Sequence, residues 1–192
     1  MPDTLQLGLP GLESPTPTDR LMFLLYPDRR TAERIALEAA RLKRASGLAG
    51  PLLQTDRLHI TLHHLGDYAG LPNDIVSKGR FAGDAVEAGA FEVVFDRAAS
   101  FANRSGNNPF TLQGGEGIQP LIAFQKALGE KMAGAALRPD RSFTPHITLL
   151  YDRQVLPEQA ITPIRWTVSR FALVQSKLGR TQHIVLREWD LG

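Results

Sequence analysis

The chain has no cysteine. Disulfides, thiolate nucleophiles and zinc–thiolate sites are therefore excluded, and a reducing, cytoplasmic setting is expected. Long apolar runs are also missing, so no segment is expected to cross a bilayer. The first residues lack a basic stretch followed by an apolar one, and a secretory leader is not expected. Neither sign of charge prevails: 22 Lys and Arg stand against 20 Asp and Glu, a formal net charge of +2. That balance does not mark a nucleic-acid binder, and any field that steers an anion has to be local. The five histidines come without an H-E-x-x-H or paired-carboxylate pattern, so no metal and no cofactor is expected.

What the chain does have is material for a core. It is 43% hydrophobic over 192 residues, enough for one domain or two small lobes packed together. Residues 1–19 are rich in proline and read as a flexible arm, and residues 20–192 as a single domain. Residues 21–26 form a short apolar run stopped by Pro27, the pattern of a buried strand. Asp28 is placed to cap a helix that runs to about Ser46, and Gly47 to end it. Residues 58–65 read as a strand, and Pro72 opens a helix to about Ala88. Strands are expected over 91–101, 109–113 and 144–151, and a helix over 117–134. Residues 164–176 read as one long alternating strand, which returns through Leu178-Gly179-Arg180 into a hairpin partner over 181–189.

One tetrapeptide occurs twice, as His59-Ile60-Thr61-Leu62 and as His146-Ile147-Thr148-Leu149. Side chains alternate along a strand, so the histidine and threonine of each copy share a face. The isoleucine and leucine face the other way and anchor the strand. Two such strands side by side aim two imidazoles and two hydroxyls at one centre. Histidine moves protons near neutral pH. A threonine hydroxyl is a weak nucleophile without activation but bonds readily to phosphate oxygens. Histidines for protons and threonines for the anion suit in-line displacement at phosphorus. A lone His-x-Thr carries little information. A duplicated strand would keep its core residues, but it has no structural need to keep the outward histidine and threonine. Each half of the body also has the order strand, helix, motif strand, which points to an internal duplication.

With these motifs the chain resembles the 2H phosphoesterases. It is most similar to the RNA 2′,3′-cyclic phosphodiesterases of bacteria and archaea, also called 2′-5′ RNA ligases. The likeness extends to residues 20–27, 58–66, 143–149 with Pro145 before the second motif, and 171–176 with the hairpin that follows. It implies an α+β, bilobal, duplicated fold in which two largely antiparallel sheets line a central cleft with helices outside. It implies His59 and His146 as acid and base, and Thr61 and Thr148 as phosphate ligands. The implied partner is an RNA or nucleotide ending in a 2′,3′-cyclic phosphate. Water would attack phosphorus, the 2′-oxygen would depart, and the product would be a 2′-phosphate. His59 would protonate the departing oxygen and His146 would activate water. A 5′-hydroxyl in place of water would give reversible 2′-5′ ligation. No obligate protein partner is implied, and a monomer is expected. One departure stands out: many relatives have an arginine near the position of Tyr151, whereas here the basic residue is Arg153.

Strand period places His63 on the cleft face with Thr61, as a candidate substrate contact, and His64 on the other face. His183 reads as structural or surface. Tyr26, Phe143 and Tyr151 are candidates to stack on a base. Arg20, Arg104, Arg141 and Arg153 are candidates for backbone phosphates. Gly114-Gly115-Glu116-Gly117 lacks the lysine and spacing of a P-loop and reads as a turn and helix start. Phe101 and residues 103–108 are expected at the cleft rim. The same motifs serve relatives that act on cyclic nucleotides, ADP-ribose cyclic phosphate or 2′-5′ linked oligoadenylate. A noncatalytic RNA- or nucleotide-binding module is the rival from a different class.

Overall fold

Pro27 and Asp28 set the first boundary. In this computed structural model, which describes residues 15–180 and 182–192, β1 (Asp19–Leu25) stops just before them. Asp28 then caps α1 (Arg29–Ala45), its Oδ1 accepting from the Thr31 amide at 2.9 Å and its Oδ2 from the Thr31 hydroxyl at 2.6 Å. Ile35, Ala39 and Leu42 lie on the helix's buried stripe. The chain continues through β2 (Ile60–Tyr68), α2 (Asn73–Asp84), β3 (Phe91–Ser100), β4 (Asn108–Gln113) and α3 (Gln119–Gly134). It ends with β5 (His146–Asp152), β6 (Gln159–Val168), β7 (Arg170–Lys177) and β8 (Gln182–Asp190).

The strands form two antiparallel sheets, in the orders β2-β1-β7-β8 and β5-β4-β3-β6. The motif strands β2 and β5 are each an edge strand. Each follows its neighbour in the sheet through one helix, so the repeating unit is β1-α1-β2 and then β4-α3-β5. The two motif strands touch where the sheets meet. Helix α2 packs on β7 and β8, α3 on β2 and β3, and α1 crosses to β6 of the other sheet.

The link after α1 interlocks the halves. Leu53 N donates to the Leu149 carbonyl at 2.8 Å, and Ala49 N and Gly50 N both donate to Asp152 Oδ2, at 2.7 and 2.8 Å. Gly50 lies so close to β5 that a Cβ there would stand 1.8 Å from the Tyr151 carbonyl oxygen. One continuous core joins the inner faces of both sheets to the helices. A smaller cluster of Met22, Leu24, Ala172 and Val174, flanked by Tyr26, lies on the opposite face of the first sheet.

Three boundaries differ from the sequence expectation. Residues 164–176 are not one strand: the chain changes sheets at Ser169, whose carbonyl accepts from Leu191 N at 2.8 Å. The body begins before Arg20. Asp19 is buried in β1, where its Oδ1 accepts from Lys177 Nζ and Gln175 Nε2, each at 2.6 Å, and the Lys177 bond leads in lowering its carboxyl to about 2. Thr18 joins it, accepting from Leu178 N and donating its own amide to the Tyr68 carbonyl. The remainder of the expected arm, residues 1–14, and Thr181 lie outside the described residues. Helix α2 ends at Asp84, short of Ala88. No described helix is long and apolar enough to cross a membrane.

Candidate active site

The register of β2 contains a bulge. Leu24 of β1 pairs with Thr61, and Phe23 pairs with His63, which leaves Leu62 without a partner. Strand β5 does the same: Thr111 pairs with Thr148 and Phe110 with Leu150, leaving Leu149. The fourth residue of each motif is thus the extra one. A bulge reverses the alternation beyond it. Thr61 lies opposite Leu24, on the face of the smaller cluster, while His63 lies opposite Phe23 in the main core.

This corrects the placement of His63. It is 1% exposed, donates from Nε2 to the Gln125 carbonyl at 2.9 Å, and accepts at Nδ1 from Asp140 N at 3.1 Å. Burial pushes its pKa down. His64 takes the cleft face instead, opposite Met22. Its Nε2 lies 2.8 Å from Asp67 Oδ1, and Asp67 also receives Arg20 through two 2.7 Å bonds. The Arg20 guanidinium, then burial, then His64 act on the Asp67 carboxyl, and the net effect is far below the usual range.

The two motif histidines are held alike. His59 stands just before β2 and His146 opens β5. His59 Nδ1–H donates to the Arg57 carbonyl at 2.7 Å, and His146 Nδ1–H to the Thr144 carbonyl at 2.7 Å. A carbonyl only accepts, so the proton on Nδ1 is fixed and Nε2 is the nitrogen available for exchange. Burial pushes the His59 pKa down, the hydrogen bond to the Arg57 carbonyl opposes it, and the charges of Arg57 and His146 act in the same direction as burial.

Their ring neighbours differ. Phe101 meets His146 edge-on at 5.1 Å, as its expected place at the rim requires. His59 is met edge-on, also at 5.1 Å, by His183, and by Tyr26 at 6.3 Å. His183 therefore belongs to this cluster, which strand spacing did not reveal because β8 reaches the site only through the hairpin. Burial raises Tyr26 to about 12, and its neutral hydroxyl shares a hydrogen bond of 2.9 Å with His183 Nδ1. That ties Tyr26 down as a packing partner of His59. Burial first, then Arg57 and His59, lower His183 to about 4.

Because His183 titrates near 6.5 when unfolded and near 4 when folded, the unfolded chain binds its proton first. The stability this neutral ring contributes is present above the unfolded value and is lost as pH falls through the folded one. The thermal midpoint is expected to drop between those values, and His183→Phe to flatten part of the drop. Equal slopes for the two proteins would contradict this reading.

The other sequence candidates scatter. Tyr151 is 43% exposed, opposite Pro109 on the Thr148 side of β5, and within electrostatic reach of Arg20. Arg153 is exposed beyond the strand, and its carbonyl accepts from Asn108 Nδ2 at 3.0 Å. Phe143 is half-buried and lines a groove with His63 behind β2, away from the threonine face. Arg104 and Arg141 are exposed. The Gly114–Gly117 stretch packs on Val94, and Gly115 N already donates to Asp96 Oδ1 at 3.2 Å, so it is a close-packed turn. Among the described residues, no group of three or more His, Cys, Asp or Glu is placed to hold a metal ion.

Residues 27–180 match the model of the 2′-5′ RNA ligase superfamily. The chain belongs to that superfamily. The 2H phosphoesterase resemblance read from the two motifs is borne out with it, as is the duplicated α+β fold. A crystal structure of E. coli LigT in apo form is 26% identical, with a TM-score of 0.68, covering 92% of this chain and 99% of that one. E. coli LigT complexed with 3′-AMP is 25% identical, with a TM-score of 0.65 and the same coverage. TT0787 of Thermus thermophilus, at 23% identity and a TM-score of 0.63, covers 90% of this chain and 97% of its own and shares the fold. No curated protein matches the sequence. As a 2H phosphoesterase, this superfamily member is a hydrolase of the phosphodiesterase type.

Proposed function

We propose that this 2H phosphoesterase opens a 2′,3′-cyclic phosphate at the end of an RNA or nucleotide to give a 2′-phosphate, with no metal in the step. The supporting observation is the matched pair of imidazoles, each with Nδ1–H held by the carbonyl two residues back and Nε2 left for proton exchange. Thr61 and Thr148, each two residues beyond its histidine and just before the bulge of its strand, are the groups to bind the non-bridging oxygens. His146 accepts a proton from water as its oxygen bonds to phosphorus, and His59 gives one to the oxygen that departs. Bond accounting corrects the leaving atom. A 2′-phosphate keeps its P–O2′ bond, so P–O3′ breaks and the 3′-oxygen takes the proton. A 5′-hydroxyl in place of water gives a 2′-5′ linkage by the same transfers. Binding of 3′-AMP by E. coli LigT is in keeping with a nucleotide in this cleft.

The experiment is a product assay with EDTA present, using a short RNA ending in 2′,3′-cyclic phosphate. A 2′-phosphate is the expected product, and absence of turnover from about pH 5 to pH 9 would sink the assignment. The lowered His59 pKa sets the pH optimum. His59 must enter hydrolysis protonated, so kcat/KM is expected to peak on the acid side of neutrality. A peak well above neutrality would contradict a lowered His59 pKa in the working enzyme.

A further inference from the structure

Asp140 lies midway along the loop that runs from α3 to the second motif, and it is pinned to β2 from two sides. Its amide donates to His63 Nδ1 at 3.1 Å, and its Oδ2 accepts from the His64 amide at 2.7 Å. Its carbonyl also accepts from Gln125 Nε2 at 3.4 Å. The buried His63 thus fixes this loop against the edge of the first sheet. Arg138 and Arg141 flank the pin, both exposed, and among the described residues neither is in an ion pair. Together with His64, Leu65 and Gly66 they line a cavity of about 340 Å³. The acidic groups nearby are committed, Asp140 to the β2 backbone and Asp67 to Arg20 and His64.

This cavity is tied to both motifs. His64 follows Thr61 by three residues, a strand distance of about 10 Å. Arg141 precedes His146 by five residues, which bounds their separation at roughly 18 Å. A strand ending in a cyclic phosphate carries its next phosphates on the 5′ side, within that range. A cyclic mononucleotide carries none.

We infer that Arg138, Arg141 and His64 form a subsite for the internucleotide phosphates of single-stranded RNA, and that it makes a polynucleotide end the preferred substrate over a cyclic mononucleotide. This rests on the cyclic-phosphate reading above. Pinning the loop in advance spares the ordering cost of binding, and paired guanidiniums suit phosphate oxygens.

The test compares the parent with Arg138→Gln/Arg141→Gln on a short RNA ending in 2′,3′-cyclic phosphate and on a 2′,3′-cyclic mononucleotide. The double variant is expected to raise KM for the RNA by about tenfold with kcat unchanged, and to leave the mononucleotide kinetics alone. The slope of log KM for RNA against log salt should shrink by about 0.7 for each arginine removed. An unchanged RNA KM and slope would overturn the subsite, as would a parent enzyme that treats both substrates alike. If the parent turns over neither, the cyclic-phosphate reading fails. Fluorescence anisotropy of a labelled single-stranded RNA on the two proteins then still decides the subsite, which requires weaker binding and a smaller salt slope in the variant.

Discussion

His59→Ala and His146→Ala are each expected to lower kcat by about 10²–10⁴-fold with little change in KM. Each removes one of two proton transfers, while Thr61 and Thr148 remain to bind the anion. The double variant should fall little further, because the two rings act as a unit. Folding is not at stake in either change. Each ring makes one hydrogen bond to a carbonyl within its own segment, and such a bond contributes about 1 kcal/mol. Thermal midpoints near that of the parent, with the activity gone, are therefore the expected pair of measurements. Full activity retained in both single variants would end the two-histidine mechanism. RNA binding unchanged by both substitutions, beside a parent without turnover, would instead favour the noncatalytic binding module.

The sequence carried the strand and helix order because that order is written in local spacing. Pro27 with Asp28, and the apolar period of α1, act over a few residues. The paired motifs were legible for the same reason. The bulges were not. Leu62 and Leu149 are apolar and buried whether or not the strand is regular, and only the partner strand shows the skipped residue. That single step exchanged His63 and His64. The sheet change at Ser169 was hidden likewise, since apolar residues continue on both sides of it. His183, and the contact of Asp140 with His63, are tertiary facts; nothing within several residues of either encodes its partner.

Phe171→Ala is expected to cost about 3–5 kcal/mol of stability, a large part of the roughly 5–15 kcal/mol typical of a domain. Phe171 is 2% exposed on the core face of β7. Trp189 of β8 stacks on it at 4.8 Å and 15°, Phe124 of α3 meets it at 5.3 Å, and Phe23 of β1 lies at 6.2 Å. Truncation leaves a ring-sized void among three aromatic side chains from three elements, which cannot collapse together without moving a strand or a helix. Urea denaturation followed by tryptophan fluorescence checks this: the midpoint should fall with the slope unchanged. A loss under about 1 kcal/mol would mean that the site relaxes freely and that this cluster is not a keystone of the core. The folded fraction should keep normal turnover, the reverse of the histidine variants. That separation has a structural cause. Phe171 and its neighbour Ala172 point to opposite faces of β7, one to the main core and one to the smaller cluster. The bulge at Leu62 gives β2 the same division, with Thr61 toward the smaller cluster and His63 toward the core.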